Sequence, residues 1–240
     1  LRRLVFGCSW KFMFSDRLRI KSSSSVAAAI GRWTHAALRK YNVSGGEMTE
    51  DDIGNYLFVC SDRWALEQGL PDDDPEVHDA FVTANTCTMA LIEAAPVLIN
   101  PETSFEREIP DTEYTIQRRV DGFIPPGTTE AHDDLETVVD YKTSNRMWSD
   151  GSQYGSPDAL VTSYVMNQDL YHIHYVVSKK TYEVKAFPMI VTEAHRDIVR
   201  GWIREAIWRV ENDIFVPNRG TNACWTCDYK DECARRYGIE

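Results

Sequence analysis

Arg118-Arg119-Val120-Asp121-Gly122-Phe123-Ile124 and, after a polar loop, Val138-Val139-Asp140-Tyr141-Lys142-Thr143-Ser144 are the two runs on which the reading of this chain turns. Both are β-rich, and Pro125-Pro126-Gly127 with an acidic loop joins them. They read as a hairpin, with Asp121 near the end of one strand and Asp140 on its neighbour. Side chains alternate along a strand, so Asp140 and Lys142, two positions apart, share a face. With Asp121 turned the same way, that face holds two carboxylates and one amine. Phosphodiester hydrolysis needs such a set. Acids hold a divalent cation that activates water and neutralises the leaving oxygen, and a cationic side chain stands beside the pentavalent phosphorus.

At 240 residues the chain is long enough for one sizeable core, or for a domain with a small appendage. No apolar run approaches the roughly 20 residues of a membrane span and no signal-peptide pattern opens the chain, so a soluble, intracellular and cytoplasmic protein is expected. The chain opens at Leu1 without a Met, and further residues are expected before it. Its formal charge of −11 argues against a generic basic nucleic-acid coat. Much of the excess acid is gathered at 47–52, 72–76 and 130–136, which read as loops or helix starts away from any groove. A local basic face is compatible with that distribution.

Working outward, residues 1–19 mix aromatic and basic residues and predict a short helix and a turn. Ser22 to Ser25 offer N-caps for a helix over 26–40. On that helix Gly31-X-X-X-His35 places both residues on one face, and the small Gly31 lets another backbone or DNA approach where His35 projects. Residues 41–100 predict a helical insertion, with Thr49 and Asp52 as a capping box and an amphipathic stretch over 76–99. Cys60 and Cys87 read there as small buried hydrophobes, and His78 as structural. Residues 103–109 and 113–124 turn β-like, with Glu106 and Glu108 alternating on the first strand. The loop after Ser144 carries Arg146, Trp148, Gln153 and Tyr154, and reads equally as a base-stacking flap or a mobile connection. A helix is expected from Ser156 to about Val177, with Pro157 in its first turn and His172 and His174 solvated or packed. A strand over 181–190 and a helix over 193–213, its apolar side marked by Trp202 and Trp208, complete an α/β succession.

Near the end, Cys224-X2-Cys227-X5-Cys233 sets three thiolates close enough to converge on one metal centre, and soft sulfur ligands select an iron–sulfur cluster or zinc. Cys8 is the candidate for the fourth ligand. Disulfides are disfavoured in a cytosol-like protein.

The order of these features, Cys8, Gly31-X-X-X-His35, Asp121, Asp140-Tyr141-Lys142, Gln168-Asp-Leu-Tyr171 and the three closing cysteines, resembles the PD-(D/E)XK nucleases. Within them it is similar to the RecB-like exonucleases, including CRISPR-associated ones with an iron–sulfur cluster. The resemblance implies a restriction-endonuclease-like α/β core, a central mixed β-sheet flanked by helices. It implies one nuclease domain over 1–240, with 41–100 as the helical insertion and 1–20 and 215–240 joined as a cluster-binding subdomain. His35, Asp121, Asp140 and the carbonyl of Tyr141 would hold Mg²⁺ or Mn²⁺, with Asp121, Asp140 and Lys142 as the catalytic set and Glu106 as a possible further acid. Gln168 and Tyr171 would guide DNA, although the family spacing between them is one residue longer. Cys8, Cys224, Cys227 and Cys233 would ligate a [4Fe-4S] cluster, with zinc as runner-up. The activity implied is metal-dependent DNA exonucleolysis at single strands or ends, in recombination, repair or processing. No helicase motif is present, so unwinding would fall to a helicase or recombination partner. A catalytically silent iron–sulfur subunit that binds DNA ends is the alternative.

Overall fold

Leu170-Tyr-His-Ile-His-Tyr-Val-Val-Ser178 is buried along nearly its whole length, the pattern of a strand covered on both faces, and it lies inside the main sheet. The computed structural model describes residues 8–20, 25–71, 73–216, 227 and 229–237. Two sheets organise it. In the smaller sheet β1 (Ser104–Glu108) pairs antiparallel with β2 (Thr115–Arg119). In the larger, β3 (Gly122–Phe123), β4 (Thr137–Ser144), β5 (Leu170–Ser178) and β6 (Val184–Val191) lie in that order. β4 and β5 are parallel while the two outer pairings are antiparallel, so the sheet is mixed. A parallel pair needs a crossover, which α5 (Pro157–Met166) supplies.

The predicted strand over 113–124 is divided between the two sheets, and Asp121 stands at the joint. Val120 donates its N–H to the Thr103 carbonyl, the Glu102 N–H donates to the Asp121 carbonyl, and Phe123 then pairs with Ile99. Gly122 is required at this crossing: a Cβ there would lie 2.8 Å from the Leu98 Cβ.

The helix expected to reach Val177 stops at Met166. Asn167 takes a left-handed conformation as its C-cap (φ 59°), and the amides of Asn167 and Gln168 close on the carbonyls of Tyr164 and Ser163. The aromatic and β-branched run that follows becomes β5, because a strand buries both of its faces where a helix would expose one.

Three helices form a layer beside the main sheet, the first and third packing on its strands and the second on those two helices. They are α2 (Val26–Val43), α3 (Glu50–Gln68) and α4 (Pro75–Ala94). The capping box of Thr49 and Asp52 starts α3 as expected, and Asp74 caps α4. Trp33 of α2 meets Trp64 of α3 edge to face, inside a core that also holds Ile53, Leu57 and Ala84. Leu38 of α2 and Cys87 and Leu91 of α4 join Val139, Tyr141, Ile173 and Tyr175 of the sheet in a second core. Within the stretch 41–100 the described helices are Glu50–Gln68 and Pro75–Ala94, and α4 lies directly on the strands. Cys87 is fully buried, Cys60 partly so, and His78 is exposed.

Two compact units emerge, residues 26–196 and residues 1–25 with 197–240. In the second, α1 (Ser9–Phe12) continues into a π-turn (Met13–Arg17), and α7 (Lys230–Tyr237) closes the described chain. Ser9 and Trp10 donate to the carbonyls of Val216 and Phe215, Phe14 meets Tyr229, and the Tyr229 hydroxyl donates to the Ile20 carbonyl. In α6 (Glu193–Glu211) it is Val199, Ile203 and Ala206 that are buried, while Trp208 is largely exposed.

Candidate functional site

His35, Asp121, Asp140 and Lys142, far apart in the chain, all line one cleft of about 1170 Å³ between α2 and the strands. Gly31 lets α2 lie close to β4, since a Cβ there would stand 3.2 Å from the Thr143 hydroxyl. The glycine of the Gly-X-X-X-His pattern thus serves helix-on-strand packing.

Asp121 is fixed from two sides. The Tyr141 N–H donates to its Oδ2 at 2.6 Å, and His35 Nδ1 lies 2.9 Å from its Oδ1. Burial disfavours charge on His35, but the Asp121 carboxylate outweighs it and raises the imidazole above its ordinary value. That 2.9 Å contact is a hydrogen bond; with the proton gone, an imidazole nitrogen and a carboxylate are both donor types that divalent cations accept.

Asp140 is almost wholly buried, and its Oδ2 takes Lys142 Nζ at 2.9 Å and an Arg118 N–H at 2.8 Å. Burial alone would raise this carboxyl; Lys142 and then Arg118 reverse the effect and hold it well below the usual carboxylate range. Lys142 also donates to Asp158 at 2.8 Å, and Arg118 Nε donates to the Thr162 hydroxyl at 3.0 Å. Burial would lower the Lys142 ammonium, but Asp140 and Asp158 raise it, so it is a fixed cation. Asp158 and Thr162 lie four apart on one face of α5. Sequence reasoning misses Arg118, Asp158 and Thr162. The four-residue spacing shows that Asp158 and Thr162 share a helix face, and no local pattern pairs that face with Arg118.

The acid preceding Asp121 that reaches the site is Glu102. One ligand atom from each of His35, Glu102 and Asp121 falls within 4.8 Å of the others, and Glu102 also pairs with Arg119. Glu106 is exposed and accepts from Gln117 instead, because alternation on β1 turns it outward. Gln168 and Tyr171 are not brought to the cleft. With α5 ending at Met166, Gln168 donates to Glu136, and Tyr171 sits on β5 facing away from His172, with its ring 5.1 Å from His132. Trp148 lies over His174 and Phe187, Gln153 is buried, and Tyr154 is exposed. Burial pushes His172 down to about 3 and His174 to about 4, so both rings are neutral. Tyr141 packs its ring beside His35.

Cys8 caps α1 and Cys233 lies in α7, while Cys224 falls outside the described residues. Cys8, Cys227 and Cys233 form no disulfide among the described residues.

Six basic residues line the same cleft: Arg32, Arg39, Lys40, Arg118, Arg119 and Lys142. The arrangement can hold a divalent ion against a polyanion and surround the developing charge with fixed cations.

Residues 4–234 match the family model described as the PD-(D/E)XK nuclease superfamily. No curated protein matches the chain. Among solved structures, the crystal structure of an exonuclease candidate from Eubacterium rectale superposes with a TM-score of 0.55 at 15% identity, over 100% of this chain and 86% of that one. The crystal structure of SSO0001 gives a TM-score of 0.42 at 14% identity, over 83% of this chain and 95% of that one.

Proposed function

Because the chain belongs to the PD-(D/E)XK nuclease superfamily and has its mixed α/β, restriction-endonuclease-like fold, we propose that it is a Mg²⁺- or Mn²⁺-dependent deoxyribonuclease that removes nucleotides from DNA ends. The observation that carries the reading is the convergence of His35 with Asp121, and of Asp140 with Lys142, in one basic cleft. His35, Asp121, Asp140 and the Tyr141 carbonyl would hold the ion, with Glu102 as a further acid. The bound ion supplies an activated water and neutralises charge on the phosphate. Lys142 orients the attacking water and stabilises the pentavalent phosphorus, Asp158 keeps the ammonium in place, and Arg118 fixes Asp140. The Arg32, Arg39 and Lys40 side of the cleft draws in the strand. The exonuclease description of the Eubacterium rectale neighbour supports action at ends.

A cytoplasmic role in DNA recombination, repair or processing, beside a helicase or recombination partner, belongs to the same proposal. No described helix is long and apolar enough to cross a membrane.

We further infer a [4Fe-4S] cluster on Cys8, Cys224, Cys227 and Cys233. In its support, the segment after Cys8 is bonded to Phe215 and Val216, and Tyr229, between Cys227 and Cys233, bonds back to Ile20. Anaerobically purified protein is then brown and carries iron; colourless protein holding zinc would overturn the assignment.

The nuclease reading is tested with end-labelled single and duplex DNA in Mg²⁺ or Mn²⁺. Asp140→Asn and Lys142→Ala are each expected to lower kcat by at least about 100-fold, the scale of losing a pre-organised charge at a transition state. Undiminished cleavage by both variants would sink the reading.

A further inference from the structure

His172 and His174 are two apart on β5, so their rings share a face of the sheet, with centroids 4.5 Å apart. Both are fully buried, and none of their four ring nitrogens has a hydrogen-bond partner among the described residues. That is unusual, because a buried imidazole nitrogen without a partner forfeits its hydration. His174 lies in register with Asp140 on the neighbouring strand, its Nε2 3.9 Å from Asp140 Oδ2. One ligand atom from each of Asp140, His172 and His174 falls within 4.8 Å of the others.

We propose that Asp140, His172 and His174 form a second, buried divalent-metal site, which takes imidazole-preferring ions such as Zn²⁺ and competes with Lys142 and Arg118 for the Asp140 carboxylate. Two imidazoles and a carboxylate suit zinc or cobalt, whereas Mg²⁺ seeks oxygen ligands and retains its waters. Zinc with bonds of 2.0–2.2 Å holds tetrahedral ligand atoms about 3.4 Å apart, so the three side chains need to close by about 1 Å. Entry is from the cleft: Asp140 lines it on one side and faces His174 on the other. Trp148 and Phe187 wall the far side of the His174 ring. The site shares Asp140 with the ion-binding set proposed above, and its two imidazoles belong to no part of the His35, Glu102 and Asp121 group. Its effect on function follows from Oδ2, the oxygen that takes both Lys142 and Arg118. An ion held there displaces the two cations from that oxygen and slows cleavage. This consequence rests on the nuclease reading; the binding does not.

The test uses the whole protein with its histidine rings labelled with ¹⁵N, in excess Mg²⁺, titrated with Zn²⁺. The ring nitrogens of His172 and His174 are expected to shift on addition of Zn²⁺ and not of Mg²⁺. In His172→Gln the Zn²⁺ affinity sensed by His174 should fall at least about 10-fold, since even partners outside the coordination sphere cost that much. Unmoved His172 and His174 signals in the native protein, or equal affinity in the variant, overturn the proposal. Zinc taken up by the cysteines alone leaves both rings unmoved and counts against it, and the native signals decide the matter if the variant does not fold. Zn²⁺ should also slow Mg²⁺-supported cleavage by the native protein more than by His172→Gln. Should the protein cleave no DNA under any condition, the nuclease reading fails while the ring signals still decide the metal site.

Discussion

Lys142 holds its ammonium between two carboxylates, Asp140 at 2.9 Å and Asp158 at 2.8 Å, and that sandwich keeps a partly buried amine charged. Arg118 repeats the device from β2, so two cations and two acids balance beside the cleft. Removing either cation leaves the buried Asp140 carboxylate less compensated, which costs more than the pair contributes as a whole. His172 and His174 behave differently, because they stay neutral in the folded chain. Unfolding restores their ordinary value near 6.5 from about 3 and about 4, so acid loads protons onto the unfolded chain and favours it. Their contribution is whole above about pH 6.5 and declines as the pH falls toward the folded values. At pH 5 the loss is on the order of 2 kcal/mol for each ring. Urea midpoints measured at pH 7.5 and pH 5 in metal-free buffer check this: the drop should shrink in His172→Leu, and an equal drop in both proteins would contradict the assignment.

Among the elements, α2 and the joint at Asp121 do most to assemble the site. Asn42, at the end of α2, accepts the Leu98 N–H at 2.9 Å through its side chain, and so fixes the segment that runs beside Gly122. Asn42→Ala leaves that buried amide unsatisfied and is expected to cost about 1–3 kcal/mol, read from chemical denaturation. Without the anchor, Glu102 and Asp121 should loosen together, since the Glu102 N–H donates to the Asp121 carbonyl. The start of α5 was legible in Ser156-Pro157. Its end was marked only by Asn167, a residue that takes the left-handed C-cap readily, and the apolar run beyond it reads as more helix. The Gln168 and Tyr171 reading depended on that longer helix. A strand in its place turns Tyr171 and His172 to opposite faces, which removes one from the site region and puts the other behind Asp140.

Across the whole molecule, the charge of −11 and a polyanionic substrate are reconciled by segregation. The described acids at 47–52 and 73–76 cluster around the starts of α3 and α4, and none of them lines the cleft, while six basic side chains do. Replacing Arg32, Arg39 and Lys40 by Ala should weaken single-stranded DNA binding and flatten its salt dependence by about 0.7 in log–log slope for each phosphate that is no longer neutralised. Binding isotherms at several salt concentrations measure this, and an unchanged slope would place the strand elsewhere. The motifs themselves, Gly31 with His35, Asp121, and Asp140 with Lys142, were readable because each depends on residue type and on a spacing set by strand or helix periodicity. So was the helical character of 26–100, which follows from local patterning and caps. What no local rule contains is which distant side chains meet. Arg118 and Asp158 reach Lys142 only through the crossover that α5 makes between parallel strands, Glu102 displaces Glu106 because the chain bends at Asp121, and the two histidines acquire Asp140 because β5 lies beside β4 in one particular register. Such meetings are set by sheet order and core packing, and those arise from the burial of many residues at once.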